Sequence, residues 1–218
     1  VRTAESRSVL AALGVPADQI YSLGYPDTGM PYEESFLRRL YDGCRVSASR
    51  WGRTETWRPD GQDFHFMRSG CHSTYTAASV LRDLSDVLAL VNPDTVYVTA
   101  PGDCHGDHDA LGRFTTQAVA AMENPPALYY YLIHADRTDI WPERDAERFR
   151  LPPMAADHPL LRCAAERRPL PDGFPPAEKY SLIQSYTSQD PAAYNGYLLA
   201  FAKNDELVFR VERLPSRT

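Results

Sequence analysis

Residues 95–112 of the chain, TVYVTAPGDCHGDHDALG, decide the fold class. The run from Thr95 to Ala100 is apolar and rich in β-branched residues, which predicts a buried strand. The segment from Leu111 to Met122 predicts a helix. The polar residues between them therefore occupy the loop at the carboxyl end of a strand, where ligands and reacting groups collect in open α/β sheets.

This loop carries two histidines and three aspartates within residues 103–109, and both side-chain types bind zinc-like ions. His105 and His108 are three residues apart, so they share a face if the helix begins here. One imidazole could then bind a metal while the other acts as an acid, with Asp107 holding the tautomer of the second ring. The alternative is that Asp107 or Asp109 merely caps the helix and that the histidines are solvated.

Helical and strand patterns alternate through the first two-thirds of the chain, which predicts an α/β fold with a Rossmann-like, doubly wound, mostly parallel sheet. We expect one domain over residues 1–218, with an irregular lobe at 45–70 and a proline-rich loop region at 135–177. The periodicity predicts helices at 3–13, 33–41, 74–90, 111–122, 178–186 and 192–203, and strands at 19–23, 95–100, 127–133 and 207–211.

Composition limits the classes of function. The net charge is -6 and no basic block occurs, which argues against nucleic acid as the main partner. No apolar run approaches membrane-spanning length. The four cysteines form no C-x-x-C pair, so a structural zinc knuckle is not expected. Free thiols and a Cys44–Cys71 disulfide both remain open, and the cysteines indicate no particular compartment or oligomeric state.

A second group of metal-binding residue types lies in the irregular lobe and directly after it. His65, Cys71 and His72 could form another metal site. The favoured interpretation is that they are polar residues of a segment without regular structure.

The H-G-D-H sequence at 105–108 resembles the H-P-D-H motif of the PIG-L/LmbE family of zinc-dependent N-acetylglucosaminyl deacetylases. Other segments follow in the family's order. R-T-A-E at 2–5 with L-G-V at 13–15 resembles its R-x-x-E helix, and L-G-Y-P-D-T-G at 23–29 resembles its L-G-x-x-D-x-G loop. Lys179 with S-Q at 188–189 resembles its K…S-Q segment. The combination is far more specific than any one motif.

The resemblance implies a zinc-dependent hydrolase that removes an N-acetyl or other N-acyl group from a small amino sugar or GlcNAc-containing conjugate. It implies that His108 is a ligand of one Zn²⁺ ion, and that His105 stabilises or protonates the tetrahedral intermediate. Asp107 would orient His105, Arg2 would face the substrate, and Asp27 would line the sugar site. The alternatives are a carbohydrate-binding homologue that has lost its metal, and a related amidase acting on a thiol or antibiotic precursor.

Two departures from the family pattern matter. Gly106 replaces the usual proline, and we expect it to loosen the loop. The family's first motif, H-P-D-D, which supplies two more metal ligands and the general base, does not occur in the 218 residues. Losing a central first strand would expose sheet edges and core. We therefore expect a fragment whose missing N-terminal segment supplies these groups, the alternative being a degenerate homologue.

Overall fold

The computed structural model describes residues 2–29, 34–44, 48–58, 62–138, 140–190 and 196–215. These contain six α-helices and four strands, with short 3-10 turns between them. The helices are α1 (Arg2–Ala12), α2 (Phe36–Tyr41), α3 (Phe64–Ser69), α4 (Ala77–Val91), α5 (Gly106–Ala121) and α6 (Pro176–Gln184). The strands are β1 (Thr95–Thr99), β2 (Ala127–Tyr131), β3 (Ala164–Pro169) and β4 (Asp205–Arg210).

The sheet is mixed, with the strand order β1-β2-β4-β3. Strands β1 and β2 are parallel, with Val98 opposite Tyr130, and α5 connects them as a crossover helix must. Strands β2 and β4 are antiparallel, with Tyr130 opposite Phe209. The predicted α/β class is confirmed, whereas the doubly wound, mostly parallel arrangement stays a prediction.

The chain forms two compact units. One comprises residues 1–20, 134–155 and 165–208, and the other comprises 21–133, 156–164 and 209–218. In the first unit the rings of Trp141, Phe149 and Phe201 lie 5.7–5.9 Å apart. In the second unit Phe36 and Phe114 belong to a buried cluster in which α2, α4 and α5 meet. Each unit therefore has apolar packing of its own.

Helix α5 begins five residues earlier than the sequence predicts. It starts at Gly106, with His105 as its N-cap and two aspartates in its first turn, where negative charge complements the helix dipole. Gly112 lets the helix lie close to β1, since a Cβ there would be 2.9 Å from the Pro101 nitrogen. The site residues therefore lie on a helix rather than in a flexible loop.

The other differences concern short or irregular segments. The strand predicted at 19–23 is wrong, because Ala17–Gln19 forms a 3-10 turn and residues 20–29 have no regular structure. The Ser22 carbonyl accepts a single bond from the Phe64 amide, at 2.8 Å, rather than joining a ladder. The irregular lobe contains α3, and the proline-rich region contains β3. Of the helix predicted at 192–203, the described part contains the 3-10 turn Leu198–Phe201. Residues 33, 45–47, 59–61, 139 and 192–195 of the predicted segments lie outside the described residues.

Within the described part of the chain, no helix is both long and apolar enough to span a membrane.

Candidate active site

Four of the five predicted site residues lie in the second unit. Asp27 is exposed in the loop before α2. His105 caps α5, and Asp107 and His108 lie in its first turn. Arg2 begins α1 in the first unit. The described contacts join the loop at 23–29 to the start of α5, and they do so through Asp107.

The carboxylate of Asp107 is buried and anchors this loop. Its Oδ2 accepts hydrogen bonds from the amide and the hydroxyl of Thr28, at 2.8 and 3.0 Å. Its Oδ1 accepts from the Leu37 amide at 2.8 Å. The Thr28 hydroxyl in turn accepts from the Phe36 amide at 2.7 Å. The side chain of Asp107 therefore fixes Thr28 and the start of α2 against α5.

The imidazole rings of His105 and His108 stack, with centroids 4.4 Å apart and planes inclined by 21°. Nδ1 of His105 accepts a hydrogen bond of 3.3 Å from the backbone amide of Asp107. A ring nitrogen that accepts carries no proton, so the neutral ring holds its proton on Nε2. Asp107 thus supports His105 through its backbone rather than through its carboxylate.

Asp103 supports His108, and the sequence did not single it out. Its Oδ1 lies 3.3 Å from His108 Nδ1, and it also accepts from the amides of His105 and Ile133, each at 2.9 Å. Burial alone would raise the pKa of this carboxyl, but the hydrogen bonds and the His108 imidazole hold it below its ordinary value of 3.8. A carboxylate on Nδ1 leaves Nε2 of His108 for a ligand.

Asp109 holds neighbouring segments in place through its carboxylate. Its Oδ1 accepts from the Gly102 amide at 2.7 Å and from Arg113 Nε at 3.0 Å, and its Oδ2 pairs with Arg38. The interpretation that Asp107 or Asp109 caps the helix is wrong, because the N-cap is His105. Both aspartates instead hold neighbouring segments against the start of α5.

Gly106 does not loosen a loop, because it forms the first residue of α5. A Cβ at this position would lie 2.6 Å from the Cβ of Ser35 and would also collide with the Ser35 hydroxyl. Ser35 is itself fully buried. The glycine therefore lets α2 approach the histidine pair more closely than a proline would allow.

The histidines of the irregular lobe have different partners. Nδ1 of His65 lies 3.2 Å from Asp83 Oδ1. His72 instead contacts Asp63 and stacks on Phe66, with centroids 4.7 Å apart. Cys71 is a free thiol, as is Cys44, so the disulfide is not formed.

A cavity of about 850 Å³ runs along another face of α5. Its walls include Leu81, Arg113, Gln117, Tyr130 and Arg162, and its lining contains neither His105 nor His108.

The fold and the site together define a class: an α/β protein whose histidine–carboxylate pairs lie where a strand passes into a helix. A family model described as GlcNAc-PI de-N-acetylase matches residues 1–119. The chain belongs to this family, PIG-L, which is generally one of deacetylase hydrolases. The match contains α1, the loop at 23–29 and the H-G-D-H segment, whereas residues 179–189 lie beyond it. No curated protein and no solved structure gives a significant match to the chain.

Proposed function

We propose that this protein is a zinc-dependent hydrolase that removes an N-acetyl or other N-acyl group from an amino sugar or a GlcNAc-containing conjugate. One observation carries the proposal beyond family membership. The contacts of the stacked histidines favour opposite tautomers, in which His105 would offer an Nε2 proton and His108 would offer an Nε2 lone pair. Hydrolysis of an amide at a metal ion needs a group that donates a proton and at least one side chain that binds the metal through a lone pair.

The residues fit a zinc ion in part. His108 backed by Asp103 reproduces the carboxylate–histidine pair that supports zinc ligands. A catalytic zinc takes three protein ligands, and in the family pattern the other two belong to H-P-D-D, which the 218 residues do not contain. When bound, the ion would polarise the amide carbonyl of the substrate.

The chain's own residues would do the following. His105 would donate its Nε2 proton to the developing oxyanion or to the leaving amine. The Asp107 amide would keep Nδ1 of His105 as an acceptor, and the Asp107 carboxylate would hold Thr28. Since Asp27 precedes Thr28, it would be positioned to contact a sugar hydroxyl. Arg2 would bind a hydroxyl or charged group of the substrate.

The rival function is a carbohydrate-binding homologue that has lost its metal. This rival is favoured because His108 is the single metal ligand of the family pattern that the 218 residues contain. Under this alternative the protein binds the sugar conjugate, but it holds no metal and does not hydrolyse the amide.

The test is to measure metal content and release of acetate from an N-acetylglucosamine conjugate. His108→Ala is expected to abolish the activity and to lower the bound metal by one equivalent. His105→Asn is expected to keep the metal and lower kcat by roughly 100-fold or more. His134→Gln, in the other unit, is the matched control and should retain both.

The zinc assignment is overturned if His108→Ala keeps both metal and deacetylase activity. A wild-type protein that binds the sugar without metal or turnover would establish the rival.

A further inference from the structure

We propose that the second unit contains another metal site, formed by His65 of α3 with Asp83 and Asp86 of α4 and selective for Zn²⁺. One ligand atom from each of these residues lies within 4.8 Å of the other two. The three residues form what we call the α3–α4 cluster. The proposal does not depend on the proposed deacetylase function.

The geometry of the α3–α4 cluster comes from two helices. Asp83 and Asp86 are three residues apart on α4, so their side chains share one face. His65 reaches that face from α3, with Nδ1 3.2 Å from Asp83 Oδ1. The imidazole nitrogen and the two carboxylates therefore converge on one point between the helices.

Surrounding side chains orient two of these ligands. The Tyr25 hydroxyl donates to Asp83 Oδ2 at 2.8 Å, which leaves Oδ1 directed at His65. The other ring nitrogen of His65 lies 3.9 Å from Cys71 Sγ. Such outer partners are typical of protein metal ligands.

The charge balance favours a cation. Asp83 is fully buried, and a carboxylate oxygen of Asp86 lies within 4.8 Å of one of its own. Arg82 lies 3.4 Å from Asp83 Oδ1, but its side chain is half exposed and also donates to Ser73 at 2.8 Å. A divalent ion between the two carboxylates would neutralise both charges.

The donor set selects the ion. One imidazole and two carboxylates are ligand types that suit Zn²⁺. Ca²⁺ and Mg²⁺ prefer sites made of oxygen ligands alone. Helix α3 has only six residues and is too short to be stable by itself. The ion would stabilise α3 by linking it to the longer helix α4.

The test uses the whole chain after treatment with a chelator. Calorimetric titration with ZnCl₂ is expected to show zinc binding that persists in His108→Ala and that His65→Gln and Asp86→Asn each weaken. The loss should exceed the roughly 10–100-fold that removal of an outer partner costs. Zinc at about 100 times its Kd should raise Tm by roughly 5–10 °C in the wild type.

Matched controls separate this site from the active site and from misfolding. His72→Gln and Asp94→Asn alter a neighbouring histidine and an exposed aspartate, and both should bind zinc as the wild type does. His108→Ala should keep the zinc bound by the α3–α4 cluster. Circular dichroism of the metal-free variants checks the fold, and the absorption spectrum of added Co²⁺ gives a second measure of ligation.

The proposal is overturned if the chain binds no zinc. It is also overturned if binding survives both His65→Gln and Asp86→Asn. Binding that is lost only in His108→Ala would assign the ion to the active site instead.

Discussion

At the scale of single residues, the carboxylate of Asp107 ties α5 to Thr28 and to the start of α2. It is buried and accepts three hydrogen bonds. We expect Asp107→Ala to lower the free energy of unfolding by about 3 kcal/mol. The substitution leaves hydrogen-bond donors without their acceptor, and each buried donor left unsatisfied costs about 1–3 kcal/mol. Urea denaturation measures this, with the exposed Asp94→Ala as the control. Equal stability of Asp107→Ala and the wild type would contradict the role.

The sequence predicted some features of this site and missed others. The motif spacing identified His105 and His108, and the helix that begins at Gly106 does place them together. Asp103, Asp107 and Asp109 look alike in the sequence. Their different roles depend on the turn at residues 101–105, which directs only Asp103 toward His108. No local pattern specifies that direction.

At the scale of elements, the contact between Gly106 and Ser35 sets how closely α2 approaches α5. Alanine is the better helix former by about 1 kcal/mol, yet we expect Gly106→Ala to destabilise the protein because its Cβ would collide with Ser35. Ser35→Gly should remove most of that loss in the double variant. A double-mutant cycle by chemical denaturation measures the coupling. Additive effects of the two substitutions would contradict the packing.

Helix α1 is held to the turn Thr187–Gln189 by Glu5 in the first unit. Glu5 accepts from the Ser188 hydroxyl, from the Ser188 amide at 2.9 Å and from the Thr187 hydroxyl at 2.7 Å. The hydrogen bond from the Ser188 hydroxyl contributes most to holding the pKa of Glu5 below its ordinary value of 4.5, and the others act in the same direction. The contact therefore stabilises the folded state above pH 4.5 and is lost as the pH falls through the lowered pKa.

NMR titration of the Ser188 amide tests this contact. Its resonance should shift with a midpoint below pH 4.5, and the shift should vanish in Glu5→Gln. The exposed Glu178→Gln is the control and should leave the titration intact. A Ser188 resonance that titrates unchanged in Glu5→Gln would exclude the contact.

Amphipathic periodicity predicted most helices correctly, and α4 runs from Ala77 to Val91 as its apolar stripe indicates. Periodicity is weak at polar ends, which is why the first turn of α5 was missed. The strand at 19–23 failed for a different reason. Strands need partners, and in the described residues Ser22 and Gly24 instead form single backbone bonds with Phe64 and Trp57.

At the scale of the whole molecule, composition and element order were enough to predict an α/β fold, and the family match to residues 1–119 agrees with the ordered motifs. The division into two units was not predictable. Each unit is assembled from three separate stretches of chain, and a sequence pattern reports neighbours along the chain rather than contacts between distant stretches.

We propose that His105 and His108 divide the chemistry because the Asp107 amide and the Asp103 carboxylate favour opposite tautomers of the two rings. Long-range ¹H–¹⁵N NMR of histidine-labelled protein, at a pH where both rings are neutral, observes the tautomers directly. We expect a proton on Nε2 of His105 and on Nδ1 of His108. A proton on Nε2 of His108, or on Nδ1 of His105, would contradict it.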